Sequence, residues 1–259
     1  MEYPQFVGHI FELTSIDLSK YKEKQMKRRI DALIANSGFS GYQDFFEGIK
    51  SDKELYDTFV SYITINVSEF FRNNDQWELL NKEVYPYILK NLSKKPVIWS
   101  AACSTGQEPY SLVMSLSKHV PLSDIKIYAT DLDNVVLSKA IKGEYTLREL
   151  KDVDKGYLDK FFDKIDKNTY RVKDEIKKCI TFKQHNLLKD SYFKDCDMIV
   201  CRNVLIYFTE EAKKDIFIKF RESLKEGGVL FIGSTEQIIR AREIGYETWK
   251  TFFYRKDGK

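Results

Sequence analysis

The segment Val97–Ser111, VIWSAACSTGQEPYS, constrains the fold more than any other part of the chain. A short apolar run breaks into small residues and continues as a helical pattern near Pro109. That order predicts a strand, a tight turn and a helix, and in an open α/β sheet a ligand lies at the carboxyl end of such a strand. A second apolar run, Ile125–Ala129, leads to Asp131. A carboxylate there can accept hydrogen bonds from both hydroxyls of a ribose, so a nucleoside-containing cofactor is our first hypothesis.

The same turn also allows a second interpretation. It holds one glycine, Gly106, so it contains neither the G-x-G-x-x-G motif of dinucleotide-binding folds nor the G-K-[ST] of a P-loop. The alternative is a buried strand followed by an ordinary turn, with Asp131 capping the next helix. These two segments alone leave both interpretations open.

Composition narrows the class of protein. With 259 residues, 43% hydrophobic and 31% charged, the chain suits one large globular domain or a small domain with a medium one. A net charge of +3 is too weak to indicate nucleic-acid binding. The sequence has no signal-peptide pattern and no run of about 18 apolar residues. We therefore expect a cytoplasmic protein without membrane insertion, whose four cysteines are reduced thiols.

Residues up to about Ile65 carry helical patterns and predict a helical domain over residues 1–68. The clearest helix is predicted over Asp17–Ser37, with others over Tyr42–Lys50 and Ser51–Ile63. The apolar face of the helix predicted over Asp17–Ser37 comprises Met26, Ile30, Leu33 and Ile34. A basic stripe lies on a neighbouring face and comprises Lys20, Lys24, Lys27 and Arg28. Arg29 lies on the opposite flank of the apolar face.

After a helix predicted over Asp75–Leu92, apolar runs alternate with helical patterns. The strand-like runs are Val97–Trp99, Ile125–Ala129, Ile180–Lys183, Met198–Cys201, Val229–Gly233 and Thr251–Tyr254. The helical runs are Glu108–His119, Asn134–Lys142, Glu210–Leu224 and Glu236–Arg240. This alternation predicts an α/β domain with a mostly parallel, doubly wound sheet over residues 69–259. Residues from about 143 to 182 predict a small antiparallel β insert, with Tyr170 and Val172 in an exposed hairpin.

The chain lacks the residue patterns of common hydrolytic enzymes. None of its three histidines lies beside a Ser or Cys in a nucleophile pattern, and no metal-ligand spacing occurs, so we expect no metal. A reaction on this chain should therefore depend on positioning and electrostatics. Methyl transfer from a sulfonium to an ionised nucleophile is such a reaction.

Polar residues also follow other predicted elements. Asn66, Ser68 and Arg72 lie in INVSEFFRN, Asn186 in KQHNLL, and Arg202 and Asn203 in IVCRNVLIYF. Each set alone would suit a solvated turn or a local backbone cap. Together they predict one cleft, because polar residues at the carboxyl ends of parallel strands converge there. Neighbouring aromatic residues suit an adenosine pocket.

Six motifs occur in the order NVSEFFRN, WSAACSTGQEPYS, ATDLD, HNLL, CRNVLIYF and GGVLFIGSTE. In this order the chain resembles the CheR-type chemotaxis receptor methyltransferases, from about Tyr21 to Tyr254. The resemblance implies a class I methyltransferase (Rossmann-like) fold with an N-terminal all-α domain and a β insert. It also implies S-adenosylmethionine as methyl donor and S-adenosylhomocysteine as product. The expected substrates are glutamate side chains on the cytoplasmic coiled coil of chemoreceptors.

The resemblance also assigns residue roles. Its cofactor contacts fall on Asn66, Ser68, Arg72, Glu108, Asp131, Asn186, Leu187, Arg202 and Asn203. Asp131 is expected to hold the ribose hydroxyls, and Glu108 is expected to face the amino group of the methionine part of S-adenosylmethionine. Arg72 is expected to face the carboxylate of that part. Asn186 and Leu187 are expected to border the adenine. Arg72 and Tyr207 match catalytic residues beside the transferred methyl group, and Arg29 matches a substrate-binding residue that faces the active site.

Two positions depart from the commoner family pattern. Ser68 replaces Thr and keeps the hydroxyl, and Gln107 replaces a Glu beside Glu108. Because the insert is short and has no Gly-rich loop, we expect no binding of a receptor tail peptide. A monomer is a separate expectation. Two other functions stay open: an enzyme of this fold with a different acceptor, and a non-catalytic module that senses S-adenosylmethionine. Nucleic-acid binding is disfavoured because aromatic and basic residues do not interleave.

Overall fold

Helices form most of the N-terminal part of the chain, in a computed structural model that describes residues 1–258. They are α1 (Tyr3–Thr14), α2 (Glu23–Asn36), α3 (Tyr42–Ser51) and α4 (Lys53–Thr64). The chain divides into two units, residues 1–66 with 204–216, and residues 67–203 with 217 onward. The prediction of a helical N-terminal region is confirmed.

An aromatic core explains why the helices of the first unit pack together. Phe6, Phe45 and Phe59 are fully buried, and the ring of Phe59 lies 6.3 Å from Phe6 and 6.0 Å from Phe45 between centroids. Burying each phenyl ring contributes about 1.5–3 kcal/mol relative to exposure. Helix α4 begins where the Asp52 carboxylate accepts the backbone N–H of Glu54 at 2.8 Å.

The helix predicted over Asp17–Ser37 is wrong at its beginning. Leu18–Lys20 form a separate 3-10 turn. Tyr21 is extended, with φ −99° and ψ 157°, and pairs in an isolated β-bridge, so the helical hydrogen bonds cannot continue through it. Helix α2 therefore begins at Glu23, and Lys20 does not belong to it, although all four residues predicted for its apolar face are buried.

A helical segment opens the second unit, close to the helix predicted over Asp75–Leu92. It consists of α5 (Asn74–Leu79), a π-helical turn (Leu80–Val84) and α6 (Tyr85–Asn91). The remaining helices are α7 (Gln107–Leu116), α8 (Asn134–Lys142), α9 (Lys155–Phe161), α10 (Asp174–Lys177) and α11 (Glu210–Ser223). The strands are β1 (Val97–Ala101), β2 (Lys126–Asp131), β3 (Glu144–Thr146), β4 (Phe162–Lys164), β5 (Thr169–Val172), β6 (Ile180–Gln184), β7 (Cys196–Cys201), β8 (Leu224–Ile232), β9 (Tyr246–Lys250) and β10 (Phe253–Lys256).

The main sheet has seven strands in the order β6-β2-β1-β7-β8-β10-β9. Strands β6, β2, β1, β7 and β8 are parallel, and β10 is antiparallel to both β8 and β9. The chain runs outward from β1 to β2 and β6, then returns to place β7 on the other side of β1. That reversal is a topological switch point, where open α/β sheets bind ligands. The predicted class I methyltransferase fold is confirmed.

The β insert is a three-stranded antiparallel sheet of order β3-β5-β4. Two expectations about this part of the chain are wrong. Val172 is fully buried rather than exposed, because it lies on the central strand β5 and joins the hydrophobic core. The insert predicted over residues from about 143 to 182 ends before Ile180, because the strand predicted over Ile180–Lys183 is β6 of the main sheet.

The helix predicted over Glu236–Arg240 is absent from the described chain. A short 3-10 helix occurs later, at Ala241–Ile244. The Glu236 carboxylate closes a turn instead, by accepting the backbone N–H of Gly233 at 2.7 Å. A side chain that satisfies the backbone locally in this way competes with helix formation.

Candidate cofactor-binding site

The parallel strands of the second unit end at one edge of the sheet, and several predicted site residues lie there. Asp131 is the last residue of β2, and Asn186 lies two residues beyond β6. Arg202 and Asn203 directly follow β7, and Glu108 is in the first turn of α7, after β1. The sheet therefore gathers residues that are far apart in sequence.

The turn after β1 adopts an uncommon backbone conformation. Ala102, Ser104 and Gly106 have φ values of 64°, 49° and 94°. A left-handed conformation costs a non-glycine residue about 1–2 kcal/mol. At position 106 only glycine fits, because a Cβ there would lie 2.8 Å from the Cβ of Ala140 on α8. Such strain is characteristic of ligand-binding sites.

This turn holds the carboxylate of Asp131. One oxygen accepts the backbone N–H of Ser104 at 2.7 Å, and the other accepts that of Asp133 at 3.0 Å. Asp131 is 5% exposed, and burial raises its pKa to about 6. Each carboxylate oxygen has a second lone pair, so Asp131 can still accept two hydroxyl groups.

The alternative role of Asp131 as a helix cap is wrong. Helix α8 is capped by Asp133, whose carboxylate accepts the backbone N–H of Val135 at 2.7 Å and that of Val136 at 3.4 Å. Asp131 is thus not needed to begin the helix.

A buried ion pair lies at the same edge. The Glu108 carboxylate accepts the hydroxyl of Ser100 at 2.8 Å, and its other oxygen is 3.6 Å from Nη1 of Arg202. The two side chains are only 12% and 3% exposed. Burial raises the pKa of Glu108, and the Arg202 guanidinium offsets part of that rise. A carboxylate in this position can face a cationic amino group.

Arg202 also holds the segment that leads into α5. Its Nη2 donates to the carbonyl of Arg72 and to the Gln76 side chain, each at 2.7 Å, and to the Asn73 side chain at 3.1 Å. Its guanidinium lies 4.8 Å from the ring centroid of Phe231. Arg202 therefore connects β7, α7 and α5, and much of its hydrogen-bonding capacity is used inside the protein.

Within residues 1–258, three buried polar atoms near these strand ends have no hydrogen-bond partner. They are Oγ of Ser104, Nε of Arg202 and Oδ1 of Asn203. Buried polar atoms are seldom left unpaired in a protein, so such atoms call for an explanation. A hydroxyl, a donor and an acceptor beside Asp131 and Glu108 match a polar, nucleoside-containing ligand with both hydroxyl and charged groups. The residues present thus fit S-adenosylmethionine.

The loop after β6 lies next to Asp131. The backbone N–H of His185 donates to the Asp131 carbonyl at 2.9 Å. Asn186 follows in a turn, where its side-chain oxygen accepts the N–H of Leu188 at 2.9 Å. Leu187 is buried and offers an apolar surface beside this turn.

Other predicted residues lie in the helical unit. The Asn66 amide donates to Thr64 Oγ1 at 2.9 Å. The Arg29 guanidinium donates to the carbonyl of Tyr62 and lies 4.6 Å from the centroid of its ring. The Tyr207 carbonyl accepts a backbone N–H from the residue before α2 at 2.8 Å. Ser68, also predicted, is half-buried in the second unit.

Sequence reasoning missed three residues that shape the site. Ser100 and Ser104 belong to the small residues that follow the first apolar run and predict only a turn, although the Ser100 hydroxyl donates to Glu108 and the Ser104 N–H donates to Asp131. Glu236 is predicted within a helix, although it lies in the turn after the parallel strand β8, and its carboxylate accepts the backbone N–H of Gly233. The sequence signal for it is an acidic residue shortly after a predicted parallel strand.

The described residues 1–258 contain no group of three or more His, Cys, Asp and Glu side chains that could hold a metal ion. Over the same range, no helix combines the length and apolar composition required of a membrane span.

Comparison with known proteins gives matches over both units. Residues 66–251 match the family described as CheR methyltransferase, SAM binding domain, and residues 1–64 match CheR methyltransferase, all-alpha domain. A chemotaxis protein methyltransferase of Listeria innocua is 44% identical over 98% of this chain and 97% of that protein. A relative of the same name from Listeria monocytogenes has the same identity and coverage. Chemotaxis protein methyltransferase 2 of Vibrio cholerae is 32% identical over 94% of this chain and 88% of that protein.

Proposed function

The chain belongs to the CheR methyltransferase family, and from that premise we propose that it methylates glutamate side chains of methyl-accepting chemotaxis receptors. S-adenosylmethionine is the donor and S-adenosylhomocysteine the product. The observation that carries the proposal is the buried, hydrogen-bonded carboxylate of Asp131 among unpartnered polar atoms at the strand ends. The proposal includes a monomeric enzyme in the cytoplasm, with a helical domain over residues 1–68 and a methyltransferase domain over residues 69–259.

In this proposal the two acidic residues bind different ends of the methyl donor. Asp131 accepts the ribose hydroxyls, for which its carboxylate retains lone pairs. Glu108 faces the ammonium of the methionine part, and Arg72 pairs with the carboxylate of that part. Asn186 and Leu187 border the adenine, while Asn66, Ser68, Arg202 and Asn203 complete the cofactor contacts.

The chemistry requires no general base. A glutamate side chain has a reference pKa of about 4.3, so it is already an anionic nucleophile at neutral pH. When bound, S-adenosylmethionine supplies an electrophilic methyl group on a cationic sulfur. The protein's contribution is to hold donor and acceptor in line and to exclude water, which lowers the entropic cost of their encounter.

Arg72 and Tyr207 are the residues proposed beside the transferred methyl group. An arginine can orient the acceptor carboxylate, but a very tight ion pair would stabilise the ground state as well and would slow transfer. The Tyr207 ring can lie against positive charge, which aromatic faces attract. We assign Arg29 to the acceptor side, and its contacts with Tyr62 restrict its orientation.

The basic residues of α2 suit an acidic protein surface. Lys24, Lys27 and Arg28 lie on this helix, and Lys27 is partly neutralised by Asp31 at 2.9 Å. Complementary charge raises the association rate, most strongly at low salt.

Transfer of labelled methyl groups tests the proposal. Purified protein is incubated with methyl-labelled S-adenosylmethionine and receptor-containing membranes, and the product is treated with base. Release of labelled methanol is expected, because a glutamate methyl ester hydrolyses in base. Base-stable label would indicate a different acceptor atom. Binding of S-adenosylmethionine without any transfer would favour the sensing module instead.

A further inference from the structure

Glu236 connects the ends of two neighbouring parallel strands through a single oxygen atom. Its Oε2 accepts the backbone N–H of Gly233 at 2.7 Å and that of Asn203 at 2.9 Å. Gly233 directly follows β8 and Asn203 lies two residues beyond β7, and the last residues of these strands are paired. Glu236 is 8% exposed, and its hydrogen bond from Gly233 is buried while that from Asn203 is partly buried.

The surrounding backbone leaves little room for another arrangement. A Cβ at Gly233 would lie 2.7 Å from the nitrogen of Asn203 and 2.7 Å from Oε2 of Glu236. Asn203 has a φ of 61°, in the left-handed region. Asparagine adopts this conformation more readily than most residues, but it still needs support from its surroundings. The Glu236 carboxylate supplies that support at the Asn203 nitrogen.

The residues fixed by this connection are those assigned to the cofactor. Asn203 has a buried Oδ1 without a partner among the described residues, and the preceding residue, Arg202, pairs with Glu108. The N–H that Glu236 holds belongs to the peptide between Arg202 and Asn203. Rotation of that peptide would move the Asn203 amide and would alter how Arg202 leaves the strand.

We propose that Glu236 is a positioning residue, which holds Asn203 in its left-handed conformation and so presents the Asn203 amide and the Arg202–Glu108 pair to the methyl donor. The inference rests on the proposed function for its ligand. Glu236 itself contacts the backbone of the turn, at Gly233 and Asn203.

The proposal requires a side chain at position 236 that is long enough to reach both N–H groups, and it does not require a negative charge there. A glutamine at 236 retains a side-chain oxygen at the same distance and can accept both N–H groups without a charge. An aspartate retains the charge but is one methylene shorter, so it cannot reach both donors. An alanine removes the acceptor of both N–H groups, one of them buried and one partly buried, a loss that destabilises the turn.

The variants Glu236→Gln, Glu236→Asp and Glu236→Ala test this, with Glu243→Ala as control because Glu243 is 65% exposed. Titration calorimetry should give an S-adenosylmethionine affinity within about 3-fold of wild type for glutamine, and a loss of about 10–100-fold for aspartate and alanine. The KM for receptor should not change in any variant. Wild-type affinity for S-adenosylmethionine in Glu236→Asp, together with a loss of affinity in Glu236→Gln, would overturn the proposal.

Amide hydrogen exchange of the ligand-free protein separates this inference from the proposed function. In the wild type and Glu236→Gln, the N–H groups of Asn203 and Gly233 should exchange slowly, and in Glu236→Asp they should exchange faster. Equal protection in the aspartate variant contradicts the positioning role, whether or not S-adenosylmethionine binds. If the N–H groups exchange faster in Glu236→Asp but the wild-type protein does not bind S-adenosylmethionine, Glu236 does hold the turn. The assigned ligand and the proposed function would then be rejected.

Discussion

Replacement of Asp131 by asparagine gives the sharpest test of the cofactor site. The carboxylate accepts one N–H on each oxygen and has lone pairs left for a ribose. Asparagine replaces one of those oxygens by an NH₂ group. That group cannot accept a hydrogen bond from the backbone N–H that it faces or from a ribose hydroxyl. A hydrogen bond to a charged group contributes about 1.5–3 kcal/mol. The affinity for S-adenosylmethionine should therefore fall by about 10–150-fold.

The pH dependence of that affinity adds an independent signature. Burial raises the pKa of Asp131 to about 6 in the ligand-free protein, and ribose hydroxyls that donate to the carboxylate favour its ionised form. Below about pH 6, binding should therefore release a proton, and wild-type affinity should fall about tenfold for each pH unit below 6. The asparagine variant should lack this dependence, because its side chain does not titrate.

The same shift has a defined effect on stability. Since the pKa of Asp131 in the folded state lies above its unfolded value of 3.8, the folded protein binds more protons between pH 4 and 6. This group's contribution to the unfolding free energy must then fall as pH rises through that window, by about 3 kcal/mol in total. Asp131→Asn should remove that part of the pH dependence in denaturant titrations.

Calorimetric titrations at several pH values between 5 and 8, with circular dichroism to verify folding, measure these effects. Glu149→Gln is a suitable control, because Glu149 is an exposed carboxylate in the same unit. A folded Asp131→Asn protein with wild-type affinity and the wild-type pH profile would refute the ribose assignment.

Three further predictions concern other parts of the molecule. Charge reversal of Lys24, Lys27 and Arg28 should raise the KM for receptor at low salt and leave S-adenosylmethionine affinity unchanged; equal KM values would show that this surface is not used. Gly106→Ala should destabilise the fold by about 1–3 kcal/mol in urea titrations, because its backbone is left-handed and the added Cβ meets α8; an unchanged midpoint would contradict this. Arg202→Lys should lower the unfolding free energy by about 2–4 kcal/mol, because lysine cannot reproduce the hydrogen bonds of the guanidinium to the Arg72 carbonyl and the Gln76 side chain. An unchanged unfolding free energy would show that these hydrogen bonds are dispensable.

The part of the fold that followed from sequence is the part governed by hydrophobic periodicity. Helix α8 was predicted with its observed bounds, and the five parallel strands were located because buried parallel strands form continuous apolar runs. Strand β9, at the antiparallel edge of the sheet, was not predicted. Tyr21 was missed because an extended residue between two helical turns leaves no trace in the apolar period. Val172 was misjudged because its polar sequence neighbours suggested a surface, while the pairing of β5 between β3 and β4 buried it.

The candidate site was predictable only in part. Asp131 follows from the rule that ligands bind at the ends of parallel strands. The partners that hold it, such as the N–H of Ser104, depend on the left-handed turn geometry, which the residue types in that turn do not specify. The bond from Arg202 to Gln76 joins residues far apart in sequence, so tertiary structure alone reveals it.

Tandem mass spectrometry of a receptor after incubation with this protein and S-adenosylmethionine tests the central claim most directly. The account predicts a single added methyl on glutamate side chains, removed by mild base and strongly reduced with Asp131→Asn. Methyl groups on lysine, arginine or the peptide backbone, or an unmodified receptor in the presence of a protein that binds S-adenosylmethionine, would contradict it.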